Sequence, residues 1–405
     1  MSDPVAGSDV GGSDGTTDGV PVGADDAGEG FVFSEKPLEL VGGDGVHLED
    51  ADGKQYLDFG ASYACTPIGH SHPAVTQAVR EQAERMVYVQ ASYPTPTRTT
   101  TYEKLGAVAP GDIDKVWLCN SGTEAVEAAM KFARSATGRK KVVAAKNAFH
   151  GRTMGALSLT WKPKYRNEFD PIPRGVQFVP YGDSEALADA VDEDTAAVFL
   201  EPIQGEGGIY PASASYLQTA REATREAGAA LVCDEIQTGL GRTGELWACE
   251  RAGVVPDAVT TAKGVASGLP LGATLCADWL AEGAGNHGST FSGNPIPCAA
   301  ANATLDTIVG DDLPTHAAEI GSYLRAEIEA AAETHDLPIR GVRGAGLMLG
   351  VQLRRGANRV LRELALSESV LALPAGRTVL RLLPPLTVTE ADADRLVTAL
   401  TEVLS

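Results

Sequence analysis

The chain has 405 residues, 43% of them hydrophobic, enough to bury the core of one large and one smaller domain rather than a string of modules. Its formal charge of -21 would repel nucleic acid and anionic membranes, both bound through clustered cations, so neither is expected as a partner. No window approaches the roughly eighteen uninterrupted apolar residues of a membrane span, and the N-terminus lacks the basic region and apolar run of a secretory leader, which makes cytoplasm the expected location.

Residues 1–30 are mostly Gly, Asp, Ser, Val and Ala with no Lys or Arg, and read as a disordered acidic tail that cannot bury enough apolar area to offset chain entropy. The carboxylate-rich, lysine-poor composition resembles that of proteins from salt-loving archaea, where about 1 M salt shortens the Debye length to roughly 3 Å. Residues 31–85 are expected to contribute to the smaller domain, with a hairpin over Val46–Phe59 reversing at Asp50-Ala51-Asp52-Gly53.

From about residue 86 to 300 the texture is that of a large α/β domain. Apolar runs at Lys115–Cys119, Lys141–Ala145, Val176–Val179, Ala197–Leu200, Ala229–Cys233, Ala258–Thr261 and Gly272–Cys276 are mostly separated by helix-like stretches. Runs without alternation imply strands covered on both faces, hence a mostly parallel, doubly wound sheet. Residues 301–405 then read as a smaller α+β domain. Helical stretches at Cys298–Val309 and Ala317–Thr334 lead into it, its strands fall at Leu347–Leu353 and Thr378–Leu382, and the helix Glu390–Leu404 closes it. The six cysteines form no CxxC pair and are expected to be reduced and buried; His70 and His72 have no third ligand nearby, so no metal site is expected.

Ligands of open parallel sheets bind at the carboxyl ends of the strands, so the residues ending each run matter most. Cys119-Asn120 leads into Ser121-Gly122-Thr123-Glu124 and a helix from Val126 to Ser135. That turn is either an ordinary hydroxyl N-cap or a cradle of free N–H groups for a phosphate. The next strand ends in Asn147-Ala148-Phe149-His150-Gly151-Arg152, where Phe149 either packs in the core or stacks on a flat ring. Asp234 follows Ala-Ala-Leu-Val-Cys at the edge of a dry core and needs a cationic partner, such as a protonated pyridine nitrogen. The strand Ala258–Thr261 delivers Ala262-Lys263-Gly264 to the same rim, where burial would lower the lysine pKa and free its amine as a nucleophile. Gly239-Leu240-Gly241-Arg242-Thr243-Gly244 is a literal GxGxxG with Asp257 beyond it, but four residues separate it from the end of its strand, which argues against a dinucleotide turn.

The stretches "SGTEA", "FHGRT", "EPIQGEGG", "DEIQTGLGRTG", "TAKG", "HGSTFSGNP" and "LRLLPPLTVTE", from about Val46 to the C-terminus, resemble the class III aminotransferases in motif and order. The resemblance implies the type I fold of pyridoxal-phosphate-dependent transferases. It implies that Lys263 binds the cofactor covalently and then carries a proton, that Ser121, Gly122 and Thr123 take the phosphate, that Phe149 stacks on the ring, that Asp234 pairs with its nitrogen and that Gln237 lies by its phenolic oxygen. Thr290 would complete the phosphate site of the neighbouring subunit of a homodimer, with Ser289 beside substrate. Arg152 and Arg381 would hold substrate carboxylates, with Glu206 masking Arg381 while an ω-amine is bound.

"FSEKPLELVGGDG", "ASYACTPIGHSHP", "VQASYP" and "LALPAGRTVLRLLPPL" look most like archaeal enzymes of arginine and lysine biosynthesis, some acting on substrates tethered to the acidic LysW carrier. The expected reaction moves the ω-amine of an acylated or carrier-linked ornithine or lysine to 2-oxoglutarate; free ornithine or 4-aminobutyrate aminotransferase, or an aminomutase, is the nearest alternative. Residues 128–167 hold ten Lys or Arg and no Asp or Glu, a surface for an acidic carrier near Lys162, Lys164 and Arg166. The one departure from the usual pattern, Val265-Ala266-Ser267-Gly268 after the lysine, bears on loop shape rather than chemistry.

Overall fold

The computed structural model describes residues 37–405, so the acidic tail expected over residues 1–30 lies outside the described residues. Leu40–Ser405 forms one compact unit.

Strands β1 (Leu40–Asp44), β2 (His47–Asp50) and β3 (Gln55–Asp58) form a meander. Gly53 (φ +79°) makes the reversal between β2 and β3, its N–H bonding to Asp50 C=O at 3.0 Å while Asp50 Oδ1 accepts from Lys54 N at 2.9 Å. The large sheet contains β4 (Lys115–Cys119), β5 (Lys141–Ala145), β6 (Val176–Val179) and β7 (Thr195–Leu200). A short hairpin, β8 (Ile203–Gln204) and β9 (Tyr210–Pro211), follows, and β10 (Ala230–Asp234), β11 (Ala258–Thr261) and β12 (Gly272–Cys276) complete the sheet. Its order is β4-β12-β11-β10-β7-β5-β6. All its strands run in one direction except β12, which is antiparallel to both β11 and β4.

Burial follows position in this order. The central β7 and β10 are buried at every residue, with no alternation because helices cover both faces, whereas β4 and β6 at the sheet edges are partly exposed. The helix Gly122–Thr137 packs over the sheet with a buried face that includes Val126, Ala129, Met130 and Phe132, and ends at Gly138 in the left-handed region (φ 69°).

Downstream, the helices Pro295–Gly310 and Leu313–Thr334 lead to β13 (Ile339–Ala345) and β14 (Met348–Leu353). Next come β15 (Val370–Leu371), β16 (Leu373–Pro374) and β17 (Val379–Leu382). The antiparallel sheet β13-β14-β17-β16 carries Arg381. The last helix, Glu390–Leu404, opens with a capping box in which Thr389 Oγ1 accepts from Asp392 N while Asp392 Oδ2 accepts from Thr389 N at 2.9 Å. β15 joins the N-terminal meander by parallel pairing with β3, Val370 opposite Leu57. Among the described residues no helix is long and apolar enough to cross a membrane.

Candidate active site

The carboxyl ends of β4, β5, β7, β10 and β11 converge on one cavity of about 450 Å³. Ser121, Gly122, Thr123, Phe149, Arg152, Glu206, Asp234, Gln237 and Lys263 all line it. Arg381 lies one contact away through Glu206. Ser289 and Thr290 do not line it: Ser289 Oγ accepts from Asn120 Nδ2 at 3.1 Å, and Thr290 is exposed, its carbonyl accepting from Tyr88 Oη.

The turn after β4 is built by Glu124. Its Oε2 accepts from Asn120 N at 2.8 Å and from Ser121 Oγ at 3.0 Å, and Ser121 Oγ in turn caps Glu124 N. Ser121 is thus a hydroxyl N-cap, and with Gly122 and Thr123 it lines the cavity at the start of the helix. A Cβ at position 122 would come within 2.7 Å of Ile236 Cδ1, so only glycine lets this turn approach the cavity wall.

After β5 the chain places Phe149 against Tyr165 (centroids 5.5 Å apart), with the Arg152 guanidinium 5.0 Å from the Tyr165 centroid and 5.9 Å from that of Phe149. The aromatic pair thus orients a cation at the cavity wall. Phe149 lines the cavity rather than vanishing into the core.

The partner that the structure gives Asp234 is His150. Its Nδ1 lies 2.7 Å from Asp234 Oδ2, with the two side chains 0% and 4% exposed, while Asp234 Oδ1 accepts from Ile236 N at 3.1 Å. Burial alone would pull the imidazole pKa down, but the bond to Asp234 and the charges of Asp234 and Glu201 outweigh it and raise His150 above its ordinary value. Glu201 is the reverse case: burial pushes its carboxyl up to about 7 despite the opposing His150 charge and two backbone N–H donors. Sequence reasoning passed over both residues, although His150 directly follows Phe149 and Glu201 directly follows the apolar run Ala197–Leu200. The available signal was that an acid in a dry strand end must find its cation at a neighbouring strand end.

Lys263 opens a short 3-10 turn with φ 42°, a left-handed conformation that costs an L-residue roughly 1–2 kcal/mol. Burial lowers its pKa, the Arg381 charge adds to this, and Asp234, Cys65 and Glu206 oppose it. A half-buried amine whose pKa is lowered, carried on a strained turn, has the setting of a nucleophile.

Arg381, only 1% exposed, donates from Nη1 to Glu206 Oε1 at 2.6 Å and to Gln237 Oε1 at 3.3 Å, and from Nη2 to Pro374 C=O at 3.0 Å. Tyr63 packs on it, with the guanidinium 5.2 Å from the ring centroid. Four consecutive non-glycine residues, Ala61 to Ala64, hold φ between 40° and 67° and so present Tyr63 to the arginine. Lys162 Nζ donates to the Glu206 carbonyl at 2.6 Å, which ties one cation of the basic segment to the cavity wall.

No helix opens at Gly239–Gly244, and Asp257 is taken up by Arg221 at 2.8 Å and by Leu231 N, which leaves the dinucleotide reading without its geometry. All six cysteines are free, five of them buried and Cys65 half-buried. Among the described residues no cluster of three or more His, Cys, Asp or Glu could hold a metal ion.

The family model described as "Aminotransferase class-III" matches residues 34–404. A "[LysW]-aminoadipate semialdehyde transaminase" of Deinococcus radiodurans is 43% identical over 378 residues, covering 92% of this chain and 87% of that protein. An "Acetylornithine aminotransferase" of Mycolicibacterium smegmatis is 45% identical over 376 residues, covering 92% and 95%. Among solved structures, the ornithine aminotransferase of Toxoplasma gondii superposes with a TM-score of 0.87 at 31% identity, covering 92% of this chain and 91% of that one.

Proposed function

We propose that this chain, which belongs to the class III aminotransferases, moves the ω-amino group of an acylated or carrier-linked ornithine or lysine to 2-oxoglutarate. It is a pyridoxal-phosphate-dependent transaminase. The residues fit that cofactor: a glycine-shaped turn at a helix N-terminus suits a phosphate, a buried carboxylate suits a ring nitrogen, and a half-buried amine stands in the same cavity. When bound, pyridoxal phosphate supplies an aldehyde and an electron-withdrawing ring.

The chain's residues do the rest. Ser121, Gly122 and Thr123 would hold the phosphate, Phe149 would stack on the ring, Gln237 would lie by its phenolic oxygen, and Asp234, held by His150, would pair with its nitrogen. Lys263 would hold the cofactor's aldehyde carbon through Nζ, in the free-amine form that burial favours, and would afterwards carry a proton within the cavity.

The observation that carries the substrate reading is the ion pair between Arg381 and Glu206. A nearly fully buried guanidinium, the natural fork for a substrate carboxylate, is neutralised by a carboxylate of the chain. While the pair is closed, Arg152 is the cavity's open carboxylate site and the ω-amine reaches Lys263. When Glu206 withdraws, Arg381 accepts 2-oxoglutarate, so one pocket serves both half-reactions. Thr290 and Ser289 act from a neighbouring copy in a homodimer. The carrier reading draws on the relative named for LysW and on the ten cations of residues 128–167, with Lys164 and Arg166 as docking residues.

Purified enzyme with 2-oxoglutarate as acceptor is expected to give its highest kcat/KM with N-acetylornithine or carrier-linked ornithine and lysine. A preference for free ornithine or 4-aminobutyrate would overturn the substrate reading. Reversing the charge of Lys164 and Arg166 is expected to raise KM for the carrier-linked amine alone; an equal change for N-acetylornithine would remove the carrier.

A further inference from the structure

We propose that Glu201 is the positioning residue that couples the cofactor half of the cavity to its substrate-switching half, by holding the backbones of Phe149 and Gly205 on its two carboxylate oxygens. The proposal rests on the roles given above to Phe149 and Glu206. Glu201 Oε1 accepts from Phe149 N at 3.0 Å, and Oε2 accepts from Gly205 N at 3.1 Å. The residue is buried, and no Lys or Arg forms an ion pair with it among the described residues. A buried carboxylate without such a partner is costly, and what distinguishes this one is that each oxygen has its own N–H donor.

The two donors belong to different machinery. Phe149 is the ring facing the cavity, on the segment after β5; Gly205 immediately precedes Glu206, on the strap that follows β7. At Gly205 the strap passes close to the Gln237 amide, which an added Cβ would meet, and Gln237 is itself a partner of Arg381. On its far side the strap carries two more glycines, Gly207 and Gly208, the latter at φ +127°. Glu201 therefore fixes the amide about which Glu206 swings toward or away from Arg381, and the glycines beyond absorb the movement. The charges of His150 and Asp234 act on the same carboxylate, so the anchor of Phe149 and the strap lies within electrostatic reach of that pair.

An amide cannot replace this anchor. Glutamine has one acceptor oxygen and one NH₂, so in either orientation its NH₂ meets one of the two N–H groups donor to donor. The test is Glu201→Gln, assayed at pH 8 as cofactor-loaded enzyme by single-turnover half-reactions with N-acetylornithine and with glutamate, alongside cofactor absorption spectra and circular dichroism.

The expected result is a ratio of ω-amine to glutamate reactivity changed by about tenfold, the effect of one buried donor left opposed, together with a shifted cofactor absorption band. Placed in a Glu206→Gln background, the change in ratio disappears while the band shift remains. A fall of both half-reactions in equal proportion, with the ratio unmoved, is what a purely structural role gives and overturns the proposal. A ratio that Glu206→Gln alone leaves unchanged refutes the switch role of Glu206 instead, and the Phe149 arm is still read on the spectrum. Should Glu201→Gln not fold, Glu201→Asp, which withdraws both oxygens by one methylene, is expected to move ratio and band in the same directions, and unchanged values overturn the coupling.

Discussion

Replacing Asp234 with Asn tests the electrostatic core of the site with almost no change of shape. The side chain keeps an acceptor for Ile236 N, at 3.1 Å in the parent, and a group opposite His150 Nδ1, at 2.7 Å, but loses the charge. A hydrogen bond to a charged group contributes about 1.5–3 kcal/mol and a neutral one about 0.5–1.5 kcal/mol. Each partner of Asp234 thus loses about 1 kcal/mol, and the cofactor's dissociation constant should rise about fivefold. The chemical step should suffer more, because the charge acts where electrons accumulate during proton transfer, and removing one such preorganised group costs about 10²–10³ in rate. Spectrophotometric titration with pyridoxal phosphate gives the first quantity, and single-turnover kinetics at saturating cofactor give the second. A variant that binds cofactor about as weakly as expected yet turns over near the parental rate would refute the assignment of Asp234 to the ring nitrogen.

Two further outcomes follow from burial. Glu201 and Glu235 are both fully buried, and burial pushes each from 4.5 up to about 7. A raised folded-state pKa gives stability that is complete below the unfolded value of 4.5 and is lost as pH rises through 7, at most about 3 kcal/mol per group. Urea unfolding of the apoenzyme should therefore show parent minus Glu235→Gln stability falling between pH 5 and pH 8, and a flat or rising difference would refute it. Arg98, 2% exposed, donates to the carbonyls of Val89, Ala91, Tyr93 and Gly293, which clamps the segment before residue 95 to the one carrying Thr290. Arg98→Lys cannot span all four and should lower stability by about 2–4 kcal/mol, read as Tm; an unchanged Tm would show that the clamp contributes nothing.

The sheet was legible because its strands are covered on both faces, so that Ala197–Leu200 or Ala229–Cys233 appears as an unbroken apolar run closed by an acid, Glu201 or Asp234. The direction of Gly272–Cys276 was not, since a buried antiparallel strand reads like a buried parallel one. Short pairings such as Val370 with Leu57 join residues far apart in sequence and carry no local period. In the site, residues whose chemistry is unusual for their surroundings, Lys263 and Asp234, announced themselves. His150 and Glu201 did not: one reads as a polar residue in a turn and the other as a strand-end acid, and their roles exist only through partners at 84 and 52 residues' separation. The left-handed turn over Ala61 to Ala64 is likewise silent in sequence, because none of its residues is a glycine.

The most direct measurement is borohydride reduction of the cofactor-loaded enzyme followed by peptide mass spectrometry. The account predicts a yellow protein that bleaches on reduction and carries a single pyridoxyl group on Lys263, with Lys263→Ala unlabelled and inactive. A label on any other lysine, or turnover that survives Lys263→Ala, would contradict it.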